Sequence, residues 1–595
     1  MSINAQTDRQ RDAATGGEVV GWGGRARWAA PEAWTASRLI CHELARAGVR
    51  QAFGVLGGGI APFAEGMRRS PIRFFHFRHE AGAGFAAIEA YFAAGAPTAV
   101  VVTTGPGLFN ALNAAMAARV DGAKVVVISG RTSREQLGRG AVQETGPYTM
   151  PPELTRAGTI FDFAASPETV EELRGALDRI ACGFQGAGGF VAHLALPLSL
   201  QTRIVDAPAE RSSAQGWRVS RPAPDLATVD ACLDRLAGRR VTLWIGHGAR
   251  DAGKELRAFA EAARIPVVAS ARAKGVFPED HPLFVGVSGA GGSAAVRRHF
   301  REERPEVVLV VGTRLGEVTS FLLQDHTPTE GWIHVDLDPT AFSAAFPGVP
   351  GFGVVADAGA AVGALHRRAL ETGFHARRAA IEPRAISTAP IEPLAPRAEG
   401  EVRPAYLMEQ IQSVVVEGSC AVVMSEAGNA FGWCNHALRF REAGRYRTSA
   451  AWGSMGHFTT GCVGAAIASG RTALAVVGDG SMLMNNELNT AVAYGARAVW
   501  VVLNDAQLGL NEHGMAALGF APIETQLPRT DFVAFARSQG ADGIAVDREA
   551  DLAAALQTAL AAEGPFVVDV RIDRAVPSPI IADRIRSLAA QGAAK

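Results

Sequence analysis

Net charge is almost absent from this sequence: 58 Lys and Arg stand against 59 Asp and Glu, a formal balance of −1 over 595 residues. With no global basic field there is no electrostatic basis for gripping nucleic acid. Long apolar runs are also missing; none reaches the roughly 18 to 20 residues that a bilayer-crossing helix needs, so no membrane span is expected. The first thirty residues carry Gly, Arg and Gln without the apolar core of a secretory signal, and a cytoplasmic location is expected. The six cysteines (Cys41, Cys182, Cys232, Cys420, Cys434, Cys462) form no close pairs. That excludes the usual zinc and disulfide frameworks and leaves buried, reduced thiols. A convincing G-x-G-x-x-G unit is missing too, which counts against a nicotinamide-dependent dehydrogenase. What is present is an ordinary globular composition, 48% apolar and 20% charged, with 66 glycines that invite a search for phosphate-binding turns.

The chain divides by composition. Residues 1–31 read as an N-terminal arm without periodicity, and 32–202 as a first α/β block. A Pro-, Ser- and Arg-rich linker at 203–225 leads to a second block at 226–370. A further linker at 371–400 precedes a third block at 401–575 and a tail at 576–595. Strand-like and helical segments alternate within each block, as doubly wound parallel sheets require. The runs Val241–Ile245, Val307–Val311, Leu474–Val477 and Val499–Leu503 are continuously apolar, which suits strands covered by helices on both faces. Residues 100–128 and 475–503 follow one pattern of strand, Gly turn, Ala-rich helix and strand, sharing Leu-Asn-x-Ala-x-Ala. The first and third blocks therefore read as copies of one design.

The strongest chemical signal is Gly478-Asp479-Gly480-Ser481, followed by Asn504-Asp505. Each cluster ends an apolar strand, and the carboxyl ends of neighbouring parallel strands are where open α/β sheets bind ligands. Glycines admit a phosphate to the backbone, the following helix N-terminus favours its charge, and two carboxylates suit Mg²⁺. A second signal is Arg78-His79-Glu80, delivered by Ile72–Phe77 to the start of an Ala-rich helix. An acid there gains about 0.3 to 1 kcal/mol from the helix dipole, which by itself is structural.

Together these motifs resemble the acetohydroxyacid synthase branch of thiamine diphosphate (ThDP) enzymes, over roughly 34–575. The resemblance implies three α/β domains, pyrimidine-binding, central and diphosphate-binding. It also implies side-chain metal ligands Asp479 and Asp505, with Gln507 contributing its carbonyl. Asn504 is an alternative second ligand, because the gap is one residue shorter than in many relatives. Glu80 becomes the carboxyl group that hydrogen-bonds N1′ of the cofactor pyrimidine. Met455, between Gly453 and Gly456, becomes the wedge that bends the cofactor, and the Gly453 carbonyl accepts from its N4′. Gly428, Asn429, Gly478, Gly480 and Ser481 fall on diphosphate-contacting turns, although Glu426-Ala-Gly428-Asn429 departs from the usual Gly-Gln-His.

On the substrate side, Gln143 matches a glutamine near the cofactor's reactive face, and Val142 stands where a Phe is common. Gly105-Pro106-Gly107 and Asn110 match a turn facing the cofactor. His513 follows the metal loop and is a candidate acid, base or substrate contact. The adjacent histidines of simple 2-oxo acid decarboxylases are lacking. By analogy this favours a carboligase taking a 2-oxo acid donor and a carbonyl acceptor. The alternatives are a non-coupling decarboxylase or a catalytically silent regulatory homologue. The central block carries Gly312–Gly316 and His334–Pro339, which resemble a domain that in some members binds FAD; the surrounding residues do not support FAD here. The family places ThDP between subunits, so a homodimer or homotetramer is expected.

Overall fold

The computed structural model describes residues 33–146, 149–208, 217–378, 394–449 and 451–585. The N-terminal arm and parts of both linkers lie outside these. The first block holds β1 (Gln51–Val55), β2 (Arg73–His76), β3 (Thr98–Val102), β4 (Lys124–Arg131), β5 (Phe163–Ala165) and β6 (Phe190–Pro197). The second holds β7 (Val241–Ile245), β8 (Val267–Ala269), β9 (Phe284–Val287), β10 (Val307–Val311), β11 (Gly331–Asp336) and β12 (Gly351–Val355). The third holds β13 (Val422–Ser425), β14 (Tyr446–Thr448), β15 (Ala473–Gly478), β16 (Ala498–Asn504), β17 (Asp542–Val546) and β18 (Phe566–Arg571). All three sheets are parallel, six-stranded and flanked by helices, so the expected α/β class is found. Every residue of β3, β7 and β16 is buried, as continuous apolar runs require.

Strand order explains the internal echo. The first sheet runs β2-β1-β3-β4-β6-β5 and the third runs β14-β13-β15-β16-β18-β17, the same path strand for strand. The central sheet differs, at β12-β11-β10-β7-β8-β9. In the first and third sheets, β3 and β15 occupy equivalent places, and each ends in a Gly-rich turn that opens a helix.

Two helices join these related units: α1 (Glu80–Ala94) of the first and α3 (His457–Ser469) of the third. Between them in the chain lies α2 (Pro106–Asp121). Alanine and glycine dominate α1, and Gly461 and Gly464 of α3 face it, so the two backbones approach closely and the first and third domains share one core. A Cβ on Gly464 would lie 2.1 Å from the Ala86 carbonyl oxygen, and one on Gly461 would lie 2.8 Å from Glu89 Cγ. Gly464→Ala is therefore expected to cost about 1 to 3 kcal/mol by overpacking a backbone contact. Chemical denaturation would show it, and an unshifted midpoint would contradict the packing described.

Where α1, α3 and the central domain meet, charges are buried. Arg447 forms a two-point pair with Glu89, at 2.8 Å for both bonds, and His457 Nε2 lies 3.0 Å from the same carboxylate. Arg272 of the central domain donates to the Asp121 carbonyl at 2.8 Å, and Arg447 stacks over Phe92 at 3.7 Å. Residues 576–585 of the C-terminal tail dock on the central domain, where Asp583 accepts from Gly291 N (3.0 Å) and Arg297 (2.7 Å). Among the described residues, no helix is long and apolar enough to cross a membrane.

Candidate active site

The site is built at the carboxyl ends of β13, β15 and β16. β15 ends at Gly478, and Asp479 begins the short helix Asp479–Met482. β16 is hydrogen-bonded beside it and ends at Asn504, which brings Asp505 next to Asp479. Ala506 then turns at φ +56°, a left-handed conformation that a side chain adopts only at a cost. A cleft of about 250 Å³ results, lined by Gly428, Asn429, Gly453, Met455, Gly478, Asp479, Gly480, Ser481, Asp505 and Gln507. Apart from the alternative ligand Asn504, every cofactor or metal residue expected in the third domain thus lines one cleft.

Electrostatics inside this cleft are unbalanced. Burial pushes the Asp479 carboxyl up, opposed by the N–H groups of Gly480, Ala506 and Gln507. Burial and then the neighbouring Asp479 charge push Asp505 up to about 7. Asp479 Oδ2 and Asn429 Oδ1 are buried without a hydrogen-bond partner. Two adjoining carboxylates with an orphaned oxygen form a donor set that a small, hard cation would satisfy. The glycines supply room: Cβ atoms on Gly428 and Gly478 would meet nothing within 4 Å, and Gly428 starts the helix Asn429–Ala437 at φ +87°. Met455 is 40% exposed, and its Cε lies 3.7 Å from where a Gly480 Cβ would be, so the thioether overhangs the cleft.

The sequence left Asn504 and Asp505 as alternatives. The structure turns Asn504 away from the cleft: its Nδ2 donates to Asp569 Oδ1 at 2.8 Å and to the Thr530 carbonyl at 3.0 Å. His513 is not among the cleft-lining residues; its Nε2 lies 3.0 Å from the Arg574 carbonyl oxygen, which also accepts from Gln507 Nε2 at 3.4 Å.

Glu80, Asn110 and Gln143 sit elsewhere, in the first domain. Glu80 opens α1 behind His79, whose Nδ1 accepts from Ala81 N at 3.1 Å. The Glu80 carboxylate is buried, and Asn110 of α2 donates to it at 3.0 Å. A Cβ on Gly107 would lie 3.3 Å from Glu80 Oε1, so the Gly105-Pro106-Gly107 turn lets α2 begin close to the acid. Asn110 and Gln143 line a second cleft of about 420 Å³ with Gly105, Phe109, Thr145 and Met150. Gln143 adopts φ +54° and lies against Gly105, another strained position beside a pocket. The two clefts have no lining residue in common.

Sequence reasoning placed Glu426 in a diphosphate-contacting turn but missed what its carboxylate does. One carboxylate oxygen of this buried acid accepts from Phe458 N, Thr459 N and Thr459 Oγ1, each at 3.0 Å, and the other from Ala427 N at 3.0 Å. It thereby ties the Gly428 turn to the start of α3, directly after the Met455 loop. The signal was an acid closing an apolar strand immediately before a Gly turn.

Comparison with known proteins agrees with this geometry. Three family models match in order: the N-terminal TPP binding domain of thiamine pyrophosphate enzymes at residues 34–149, the central domain at 229–365 and the C-terminal TPP binding domain at 426–570. A putative acetolactate synthase large subunit of Mycobacterium tuberculosis is 28% identical over 519 residues, covering 85% of this chain and 91% of that protein. A putative thiamine pyrophosphate-containing protein of Bacillus subtilis is 29% identical, covering 92% and 93%. The acetolactate synthase isozyme 1 large subunit of Escherichia coli is 26% identical, covering 91% and 94%. With both clefts, all three domains and these full-length likenesses in agreement, the chain belongs to the thiamine diphosphate-dependent enzymes, in their acetolactate synthase-like branch.

Proposed function

We propose that the protein is a Mg²⁺- and ThDP-dependent carboligase that decarboxylates a pyruvate-like 2-oxo acid and passes the acyl unit to a carbonyl acceptor. The product is an acyloin or acetohydroxy acid. The observation that carries this reading is the Asp479–Asp505 pair, two buried carboxylates with an orphaned oxygen inside a glycine-lined cleft. Such a donor set fits a divalent cation that clamps a diphosphate. When bound, ThDP supplies the electron sink that lets the 2-oxo acid lose CO₂.

The chain's own residues divide the remaining work. Asp479, Asp505 and the Gln507 carbonyl would hold the metal. Gly428, Asn429, Gly478, Gly480 and Ser481 would cradle the diphosphate with backbone N–H groups and the Asn429–Ala437 helix N-terminus. Met455 would act as the wedge and the Gly453 carbonyl as an acceptor for the pyrimidine amine. Glu80, fixed by Asn110, would share a proton with the pyrimidine ring. Gln143 would face the substrate. We assign no proton transfer to His513, whose ring bonds the Arg574 carbonyl, and no FAD to the central domain. There, the loops after β7 and β10 touch: Gly248 N donates to the Gly312 carbonyl at 2.9 Å.

The reading also calls for a second copy of the chain. The metal pair lines one cleft and Asn110, which donates to the Glu80 carboxylate, lines the other, and Phe109, Met455, Leu483 and Met484 are each 40 to 52% exposed on or near their rims. Exposed apolar side chains at the mouths of two half-sites suit an isologous contact that closes both. A homodimer is the minimal assembly, and a homotetramer satisfies the same contacts.

The test is product analysis by mass spectrometry after incubation with ThDP, Mg²⁺ and 2-oxo acids, singly and in pairs. An acetohydroxy acid is expected. Free aldehyde alone would make the protein a non-coupling decarboxylase, and no CO₂ from any 2-oxo acid would make it a silent homologue.

A further inference from the structure

The helix Leu488–Tyr494 and the residue before it grip the segment that delivers Glu80. Glu487 is fully buried. Its Oε1 accepts from His79 N at 3.0 Å and Arg78 N at 3.2 Å, and its Oε2 accepts from Arg78 N at 3.1 Å and Thr490 Oγ1 at 2.5 Å. The N–H groups it holds belong to the two residues directly before Glu80. A Cβ on Gly82 would lie 2.6 Å from Glu487 Oε1, so the glycine lets the carboxylate reach the turn. Asn489 Oδ1 accepts from the Arg78 guanidinium at 2.7 and 3.0 Å, and the Tyr494 hydroxyl accepts from His76 N at 2.7 Å. Contacts from Glu487 to Tyr494 thus clamp residues 76–82 at three points.

We propose that Glu487 is a positioning residue for Glu80, holding the turn that sets where the Glu80 carboxyl points. This rests on the reading of Glu80 given above. A buried carboxylate is a costly way to hold a turn unless its acceptor oxygens are filled, and here they are. Burial nevertheless pushes the Glu487 carboxyl up to about 7, against the pull of the Thr490 hydroxyl, the Arg78 and His79 N–H groups and the Arg78 charge. Those hydrogen bonds hold the clamp in place, and removing it leaves two N–H groups without acceptors beside the acid. Displacing a proton-transfer group by about 1 Å can cost about a hundredfold in rate.

The experiment uses the full-length protein loaded with ThDP and Mg²⁺ and reads two quantities: cofactor affinity by calorimetry, and the rate at which the bound cofactor's C2 proton exchanges with deuterium. Glu487→Ala is expected to slow exchange about a hundredfold with ThDP affinity within about threefold of wild type. Glu487→Gln keeps an oxygen for the two N–H groups and should recover exchange to within about threefold. Should Glu487→Ala fail to fold, Gly82→Ala, which displaces the carboxylate, decides with the same expected loss. Exchange at the wild-type rate in whichever variant folds with ThDP bound would overturn the proposal. Glu80→Gln is the control: persistent exchange there would defeat the reading of Glu80 itself, a separate outcome.

Discussion

Glu80→Gln should lower kcat by about 10² to 10⁴-fold, the range expected when a positioned proton-transfer group is lost. Glutamine keeps the shape of the side chain, and its amide oxygen can still accept from Asn110 Nδ2, so the start of α1 stays intact. What it cannot do is share a proton with a ring nitrogen. The loss should therefore fall on kcat, with ThDP affinity close to wild type, because the residues proposed to hold the metal and diphosphate line a cleft that does not include Glu80. Steady-state rates beside cofactor titrations check both halves. Unchanged turnover would remove Glu80 from the chemistry.

The largest expected effect on stability comes from Arg447→Met. Burial alone would push the Glu89 carboxyl up; the Arg447 charge and hydrogen bonds, with His457, outweigh it and hold the group at about 2. Removing Arg447 leaves a carboxylate buried at the meeting point of three domains with His457 as its remaining partner. Breaking a buried pair in this way costs about 3 to 5 kcal/mol. The pH dependence has a definite sign. In the wild type the pair's contribution is present above the unfolded carboxyl pKa and fades as pH falls toward 2. In the variant Glu89 titrates upward, so acidification relieves its penalty. The stability gap should narrow from about pH 7 to about pH 4. Thermal unfolding across that range checks it, and a constant gap would contradict the electrostatic account.

Much of the fold was legible because parallel strands buried on both faces leave continuous apolar runs, and the turns after them leave glycines. Val499–Leu503 and Gly478-Asp479-Gly480 were readable for that reason, and so was the cleft in the third domain. The shared strand order of the first and third sheets was anticipated by Leu-Asn-x-Ala-x-Ala recurring after equivalent strands. The charges that hold domains together were not. Glu89 is the lone charged residue between Ala81 and Ala94, and only its burial against Arg447, 358 positions away, shows its role. Glu487 reads as an ordinary helix-start acid until its carboxylate is found on the N–H groups before Glu80. Periodicity reports which face is buried; it carries no information on which buried charges will be partners. His513 illustrates the converse: a position close in sequence to Asp505 and Gln507, with a ring turned to the Arg574 carbonyl.

We propose that Glu80 of one copy and the Asp479–Asp505 pair of another complete one site. The most direct measurement mixes two inactive full-length variants, Glu80→Gln and Asp479→Ala, after dissociating and reassociating the subunits. A mixed dimer would carry one site with both defects and one with neither. Random pairing should then restore about a quarter of the wild-type rate. A mixture that stays inactive while mixed dimers are shown to form would place the acid and the metal pair of each site in the same chain, and rule out a site shared between two copies.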